Sequence, residues 1–120
     1  MNVAITAQGT ELDAPVESRF GRAPYFLLVD TETGRFTVHD NVQNVNAPQG
    51  AGIQAAQAIA NLGAQALLTG NVGPKAFTTL QAAGIPVYVG VTGTVAQAVE
   101  AFRAGQLQLA AQATVAGHMT

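Results

Sequence analysis

Two arginines and a lysine stand beside loops that are rich in glycine, and this combination favours the binding of an anion. Arg19, Arg22 and Lys75 are three of the five basic residues in the chain. Guanidinium groups and backbone N–H groups both donate strong hydrogen bonds to negatively charged acceptors. Glycine-rich turns that lead into helices let such N–H groups come close to a ligand. These residues therefore predict a site for a bulky anion.

The candidate binding residues lie where predicted strands end. In an open α/β sheet, ligands bind outside the carboxyl ends of the strands. Helix starts are predicted at Pro74 and Thr94, and the positive ends of their dipoles would favour negative charge there. The residues predicted to bind an anionic ligand are Gln8, Gly9, Arg19, Arg22, Gly70, Asn71, Gly73, Thr92 and Thr94.

A purely structural role for the same residues is the alternative. Both arginines would then pair with acidic residues of their own loop, which are Glu11, Asp13 and Glu17. Such surface pairs are common and contribute little to stability. The glycine-rich turns would then only join helices to strands.

Several other chemistries lack the residues they need. The chain has no cysteine, which excludes thiolate ligation of zinc or of an iron–sulfur cluster. Residues 41–99 contain no carboxylate, so a two-metal nuclease site is not expected. The G-x-S-x-G and Walker patterns are absent, and His39 and His118 fall on a predicted edge strand and in the C-terminal tail. We therefore predict that the chain is not an enzyme and that no side chain ligates a metal.

Composition bounds the class of protein. A chain of 120 residues is the usual size of one domain. The net charge of −2 does not indicate a basic surface that would bind nucleic acid or an anionic membrane. Only 10% of the residues are charged, against roughly 25% in ordinary domains, so a monomer or a weak homodimer is expected. The sequence starts without a basic region followed by an apolar run, and a cytoplasmic location is expected.

The pattern of apolar residues predicts a mixed α/β sheet. Period-two or continuous apolar runs predict strands at 2–7, 25–29, 35–40, 66–69 and 85–89. Helical periodicity begins at residue 53 and after Pro74, and a capping box at Thr94 and Gln97 predicts the start of a third helix. The first strands form a hairpin, and the later strand–helix–strand units give parallel pairs by right-handed crossover.

A longer motif resembles a known family. Residues 18–30 read SRFGRAPYFLLVD, which resembles the R-F-G-R-A-P-Y-F signature of the dinitrogenase iron–molybdenum cofactor biosynthesis family, including NifX-like proteins and the C-terminal domain of NifB. LLTGNVGP at residues 67–74 and GIPVYV at residues 84–89 are similar to later motifs of that family, in the same order.

The resemblance implies both a fold and a function. The implied fold is three-layered and ribonuclease-H-like, with a five-stranded mixed sheet in the order 3-2-1-4-5 and helices on both faces. A single domain would span residues 1–105, and residues 106–120 would form a mobile tail. Relatives bind the iron–molybdenum cofactor, its iron–sulfur precursor or other molybdenum–sulfur clusters, and pass them to assembly proteins.

The chain departs from the family pattern at one place. Several relatives carry a histidine near the first helix, where this chain has Asn46-Ala47-Pro48-Gln49. The resemblance thus implies a metal–sulfur cluster held non-covalently, without cysteine ligands. The alternative is a ligand-free module for protein–protein interaction or regulation.

Overall fold

The computed structural model describes residues 1–45 and 50–114. Residues 46–49, which precede the predicted first helix, and the tail residue His118 lie outside the described residues. The strands are β1 (Asn2–Ala7), β2 (Tyr25–Asp30), β3 (Phe36–Asp40), β4 (Ala66–Leu68), β5 (Val87–Val89) and β6 (Gln108–Leu109). The helices are α1 (Val42–Val45), α2 (Ala51–Asn61), α3 (Pro74–Ala82) and α4 (Val95–Arg103), with a short 3₁₀ helix at Phe20–Arg22.

The sheet runs in the order β3-β2-β1-β4-β5-β6. The β2–β3 hairpin and β1 pair antiparallel, and β1, β4 and β5 pair parallel. This confirms the expected mixed sheet and strand order, with a sixth strand added at the β5 edge. β6 has two residues, antiparallel to Tyr88 and Val89, which is too short for a period-two pattern to reveal.

One face of the sheet packs against α2, α3 and the 3₁₀ helix. Because successive strand residues point to opposite faces, Ala4, Phe26 and Leu67 all reach this side. Phe20 is 1% exposed and stacks on Phe26 with ring centroids 5.8 Å apart. Phe20 is therefore a core residue, and its burial fixes the segment that carries Arg19.

The opposite face packs mainly against α4. Val3, Ile5 and Leu68 from the sheet meet Val95 and Val99 of the helix. Strands that are buried on both faces explain the continuous apolar runs in the sequence. The helices therefore lie on both faces, as expected.

Two segments predicted as loops contain helical turns. The long connection between β1 and β2 includes the 3₁₀ helix, and α1 forms directly after β3. α2 begins at Ala51, two residues before the apolar periodicity starts at Ile53. Short helical turns carry too little periodicity for sequence patterns to detect.

The helices of the described residues are short. The longest, α2, has 11 residues, or about 16 Å at 1.5 Å per residue. No described helix is long and apolar enough to cross a bilayer.

Candidate functional site

The connection between β1 and β2, residues 8–24, lies across the carboxyl ends of the parallel strands. The Val16 amide donates to the Gly93 carbonyl at 2.9 Å, beyond β5. The Phe20 amide donates to the Asn71 carbonyl at 3.1 Å, beyond β4. This loop is therefore hydrogen-bonded to both of the turns that were predicted to lie at this edge of the sheet.

Arg19 and Asn71 lie side by side in one group of candidate residues. They form a parallel bridge, and the Asn71 amide donates to the Ser18 carbonyl at 2.6 Å. Gly70 is buried, and a Cβ at this position would lie 2.6 Å from the Ser18 carbonyl oxygen. The Gly90 amide in turn donates to Gly70 at 2.9 Å. The backbone of this group is therefore fixed from two sides.

The guanidinium group of Arg19 faces solvent. Its side chain is 63% exposed, and its Nε lies 4.0 Å from Oε2 of Glu17. The same Glu17 oxygen accepts the backbone N–H of Arg19 at the shorter distance of 3.0 Å. Arg19 therefore does pair with an acidic residue of its own loop, as the structural alternative predicts. The distance of 4.0 Å is the longest that counts as an ion pair, so the contact is weak. Arg22 is exposed at the end of the 3₁₀ helix, and its amide donates to the Arg19 carbonyl at 3.1 Å.

A second group of candidate residues gathers around Pro15. The exposed Gln8 donates its amide to the Pro15 carbonyl at 2.9 Å, and the half-buried Gly9 follows. Pro15 bridges Thr94 in antiparallel fashion. The Thr94 hydroxyl accepts the Gln97 amide at 3.1 Å, and Oε1 of Gln97 accepts the Thr94 amide at 2.9 Å. The predicted capping box is therefore confirmed.

The start of α4 is occupied by the loop rather than open to a ligand. The amides of Val95 and Ala96 donate to the carbonyls of Ala14 and Leu12 at 2.9 and 2.8 Å. These first-turn donors are therefore satisfied within the protein and are not available to an anion at the Thr94 helix start. Thr92 remains exposed in the turn before it.

The start of α3 differs from that of α4. Pro74 occupies its first position after the buried Gly73, and Lys75 is exposed beside it. Within the described part of the chain, the first-turn amides of α3 have no loop carbonyls as partners. A cleft of about 360 Å³ opens here, lined by Ile53, Pro74, Lys75, Thr78 and Thr79. This is the helix start that can offer donors.

Sequence reasoning missed two buried hydroxyls beneath the loop. Thr6 and Thr69 are both 0% exposed, and their hydroxyls are hydrogen-bonded at 2.9 Å. The Thr6 hydroxyl also contacts the Glu17 carbonyl at 2.8 Å. Polar residues at the ends of two otherwise apolar strands were the available signal, because a buried hydroxyl needs a partner.

Side chains for direct metal ligation are not assembled here. In residues 1–45 and 50–114, no three His, Cys, Asp or Glu side chains lie close enough to hold a metal ion. The donors at this edge are guanidinium, ammonium, amide and hydroxyl groups. They suit hydrogen bonding to an anion rather than coordination of a bare cation.

Known proteins share both sequence and fold with this chain. The family model for the dinitrogenase iron–molybdenum cofactor matches residues 1–105. The apo form of the orange protein from Desulfovibrio gigas is 48% identical, with a TM-score of 0.93 over 95% of this chain and 96% of that one. A provisionally assigned NifB protein from Thermotoga, of the DUF35 family, is 38% identical, with a TM-score of 0.82 over 95% and 97%.

A further relative is known by sequence. An uncharacterised protein of Methanocaldococcus jannaschii is 33% identical over 91 residues, or 74% of this chain and 77% of its own length. The family match reaches from β1 to the end of α4 and includes the loop and turns of the candidate site. The chain therefore belongs to the dinitrogenase iron–molybdenum cofactor family, whose role lies in the biosynthesis or binding of that cofactor.

Proposed function

We propose that this protein binds an anionic metal–sulfur cluster non-covalently and carries it during cofactor assembly. The cargo would be the iron–molybdenum cofactor, its iron–sulfur precursor or a related molybdenum–sulfur cluster. The proposed site is the edge formed by Arg19, Arg22, Asn71 and the start of α3.

The exposed guanidinium of Arg19 carries the proposal. Its backbone is bridged to Asn71, and Phe20 next to it is buried in the core, so the base of the side chain is held in place. The guanidinium end is mostly exposed. A guanidinium held at its backbone and open to solvent can donate to an anion, and binding then needs to order only its own side chain.

The first turn of α3 supports the same site. Two residues separate Asn71 from Pro74, so the helix start follows closely after the residue that is bridged to Arg19. Lys75 in the first turn opposes the helix dipole, and an anionic ligand would remove that conflict. A shallow surface cleft of about 360 Å³ runs beside Lys75 along the first two turns of α3.

The donor set fits a cluster whose metal ions already have all their ligands. Sulfide-bridged clusters carry negative charge on their surface, and cationic or N–H donors can bind that surface from outside. Because the chain has no cysteine, thiolate exchange into the cluster would not be needed for uptake or for release. Such binding suits a carrier.

The test is uptake of a defined anionic cluster. A mixture of tetrathiomolybdate and copper is added to the protein, and the charge-transfer absorbance that co-elutes on a desalting column is measured. We expect this charge-transfer absorbance to co-elute with the wild-type protein. Each of Arg19→Ala, Arg22→Ala and Lys75→Ala should raise the Kd about tenfold, since a hydrogen bond to a charged group contributes about 1.5 kcal/mol or more.

Arg103→Ala is the matched control. Arg103 ends α4, about 13 Å along the helix from the candidate edge at 1.5 Å per residue, and it pairs with Glu100 at 3.3 Å. This substitution removes one positive charge, as each of the three site variants does, but it should leave cluster uptake unchanged. If Arg19→Ala binds as well as the wild type, Arg19 is not part of the site. If the wild-type protein retains neither this cluster nor the iron–molybdenum cofactor, the carrier function is wrong, and the interaction module becomes the better account.

A further inference from the structure

β3 forms one edge of the sheet and has an open side. Among the described residues, the sheet order places β2 on one side of β3 and no strand on the other. β6, at the opposite edge, has only two residues, and a very short edge strand is itself a protection against pairing. β3 has five residues, Phe36–Asp40, without proline or lysine and without a bulge in its register.

Hydrogen bonds at both ends of the hairpin determine which backbone groups of β3 face outward. The Asp30 amide donates to the Arg35 carbonyl at 2.8 Å, and the Asn41 amide donates to the Pro24 carbonyl at 2.9 Å. In an antiparallel pair the hydrogen-bonded positions alternate, and the register between these two bonds is continuous. The residues whose backbone N–H and C=O groups point away from β2 are therefore Phe36, Val38 and Asp40.

We propose that β3 pairs antiparallel with β3 of a second copy of this chain, around a two-fold axis at Val38. In this register Val38 faces the partner's Val38, and Phe36 faces the partner's Asp40. All three outward-facing residues then lie in hydrogen-bonded positions, and each such pair exchanges two N–H···O bonds. A shift of two residues in either direction would leave fewer of these residues paired.

The side chains fit this pairing. Val38 is 40% exposed, although its neighbour Leu27 on β2 is 0% exposed. A cross-strand pair of valines would cover this exposed apolar surface. On the other face, Thr37 would lie opposite the partner's His39. The Thr37 hydroxyl is already 2.7 Å from Nε2 of its own His39, so these polar groups can exchange partners without loss.

The charges on the strand favour the antiparallel direction. Arg35 precedes β3 and Asp40 ends it, and both are exposed. Parallel pairing in register would place like charges side by side, whereas antiparallel pairing moves each Arg35 and each Asp40 away from its own counterpart. Arg35 and the partner's Asp40 project from opposite faces of the joined sheet, so they form no ion pair with each other. The same geometry turns the carboxyl edges of the two sheets in opposite directions. Both candidate cluster sites therefore remain open, and the dimer does not depend on the proposed function.

The absence of cysteine in the chain allows a sharp test by cross-linking. In the proposed register, Thr37 and the partner's His39 form a pair without hydrogen bonds, whose Cα atoms lie about 4.5 Å apart. This distance is within the range for a disulfide, about 4.4–6.8 Å. An equimolar mixture of Thr37→Cys and His39→Cys should therefore form a disulfide-linked dimer under mild oxidation. A mixture of Thr37→Cys with Leu109→Cys, on the β6 edge, should not.

Sedimentation equilibrium tests the unmodified protein. We expect the wild type to approach twice the mass of one chain as its concentration rises, and Val38→Lys to keep the mass of one chain because two ammonium groups would meet at the axis. Leu109→Lys, which replaces another exposed aliphatic residue, should behave as the wild type. Circular dichroism establishes that each variant is folded. A wild type that stays at the mass of one chain, a Val38→Lys variant that still doubles, or equal cross-linking in both cysteine mixtures would overturn the proposal.

Discussion

At the scale of single residues, Gly70 shows how closely the β1–β2 loop is seated on the sheet. A Cβ at this position would lie 2.6 Å from the Ser18 carbonyl oxygen and 2.7 Å from the Ser18 Cα. Both neighbours are backbone atoms, so no side-chain rotation can relieve the contact. Glycine is therefore required here for close approach of two backbone segments.

Gly70→Ala should lower the free energy of unfolding by about 1–3 kcal/mol, because a methyl group must be forced into a filled space. Urea denaturation measures this change. The Asn71 amide, which donates to Ser18, should also exchange with solvent faster.

Gly84→Ala is the control for Gly70→Ala. Gly84 has φ +74° and nothing within 4 Å of the added Cβ, so its substitution strains the backbone but leaves the loop seated. It should lose stability without faster exchange at Asn71. Equal stability of Gly70→Ala and the wild type would contradict the close packing.

At the scale of elements, the β2–β3 turn depends on Asp30. Its Oδ1 accepts the backbone N–H groups of Glu32 and Thr33 at 2.9 and 3.4 Å. The hydrogen bond from Glu32 is the largest cause that lowers the pKa of the Asp30 carboxyl below its ordinary value of 3.8, and the N-terminal ammonium adds to it. The charged carboxylate therefore stabilises the hairpin that presents β3.

The lowered pKa of Asp30 predicts a loss of stability in acid. A carboxyl whose pKa is lower in the folded state contributes stability that is fully present above its unfolded value, and this contribution disappears as pH falls through the folded value. Asp30→Asn keeps an acceptor oxygen but cannot ionise. The difference in free energy of unfolding between the wild type and Asp30→Asn should therefore shrink as pH falls from about 6 to about 2. A constant difference, in denaturation curves across this range, would contradict the role of the charge.

At the scale of the whole molecule, the segment after α4 is part of the fold. The family match ends at residue 105, but β6 extends the sheet beyond it. The chain then returns to the β4–α3 turn, where the Val72 amide donates to the Thr114 hydroxyl at 2.8 Å and the Thr114 amide donates to the Val72 carbonyl at 2.9 Å. Residues 106–114 thus hold the turn that leads into α3 at the candidate site.

Thr114→Val should lower the free energy of unfolding by about 1 kcal/mol, because the Val72 amide loses its acceptor. Thr114→Ser keeps the hydroxyl and should restore most of the stability. The two variants are compared by urea denaturation together with hydrogen exchange at Val72. Slow exchange of the Val72 amide in Thr114→Val would show that the Thr114 hydroxyl does not protect this amide.

Local patterns were sufficient for most of the secondary structure. Alternating or continuous apolar residues predicted β1 to β5, and Pro74 and the Thr94–Gln97 capping box marked two helix starts. These signals depend on residues within one or two turns of each other, so the sequence alone contains them. The sixth strand was missed because two residues carry no period.

The candidate site shows the limit of such reasoning. The sequence by itself determined which residues stand at strand ends, since element order and the crossover rule bring those ends to one edge. Only the tertiary structure decided which helix start is open. The loop carbonyls of Ala14 and Leu12 accept the first-turn N–H groups of α4, whereas the start of α3 stays accessible. Hydrogen bonds between segments so far apart in the chain depend on how a long loop folds over the sheet, and this has no local signature in the sequence.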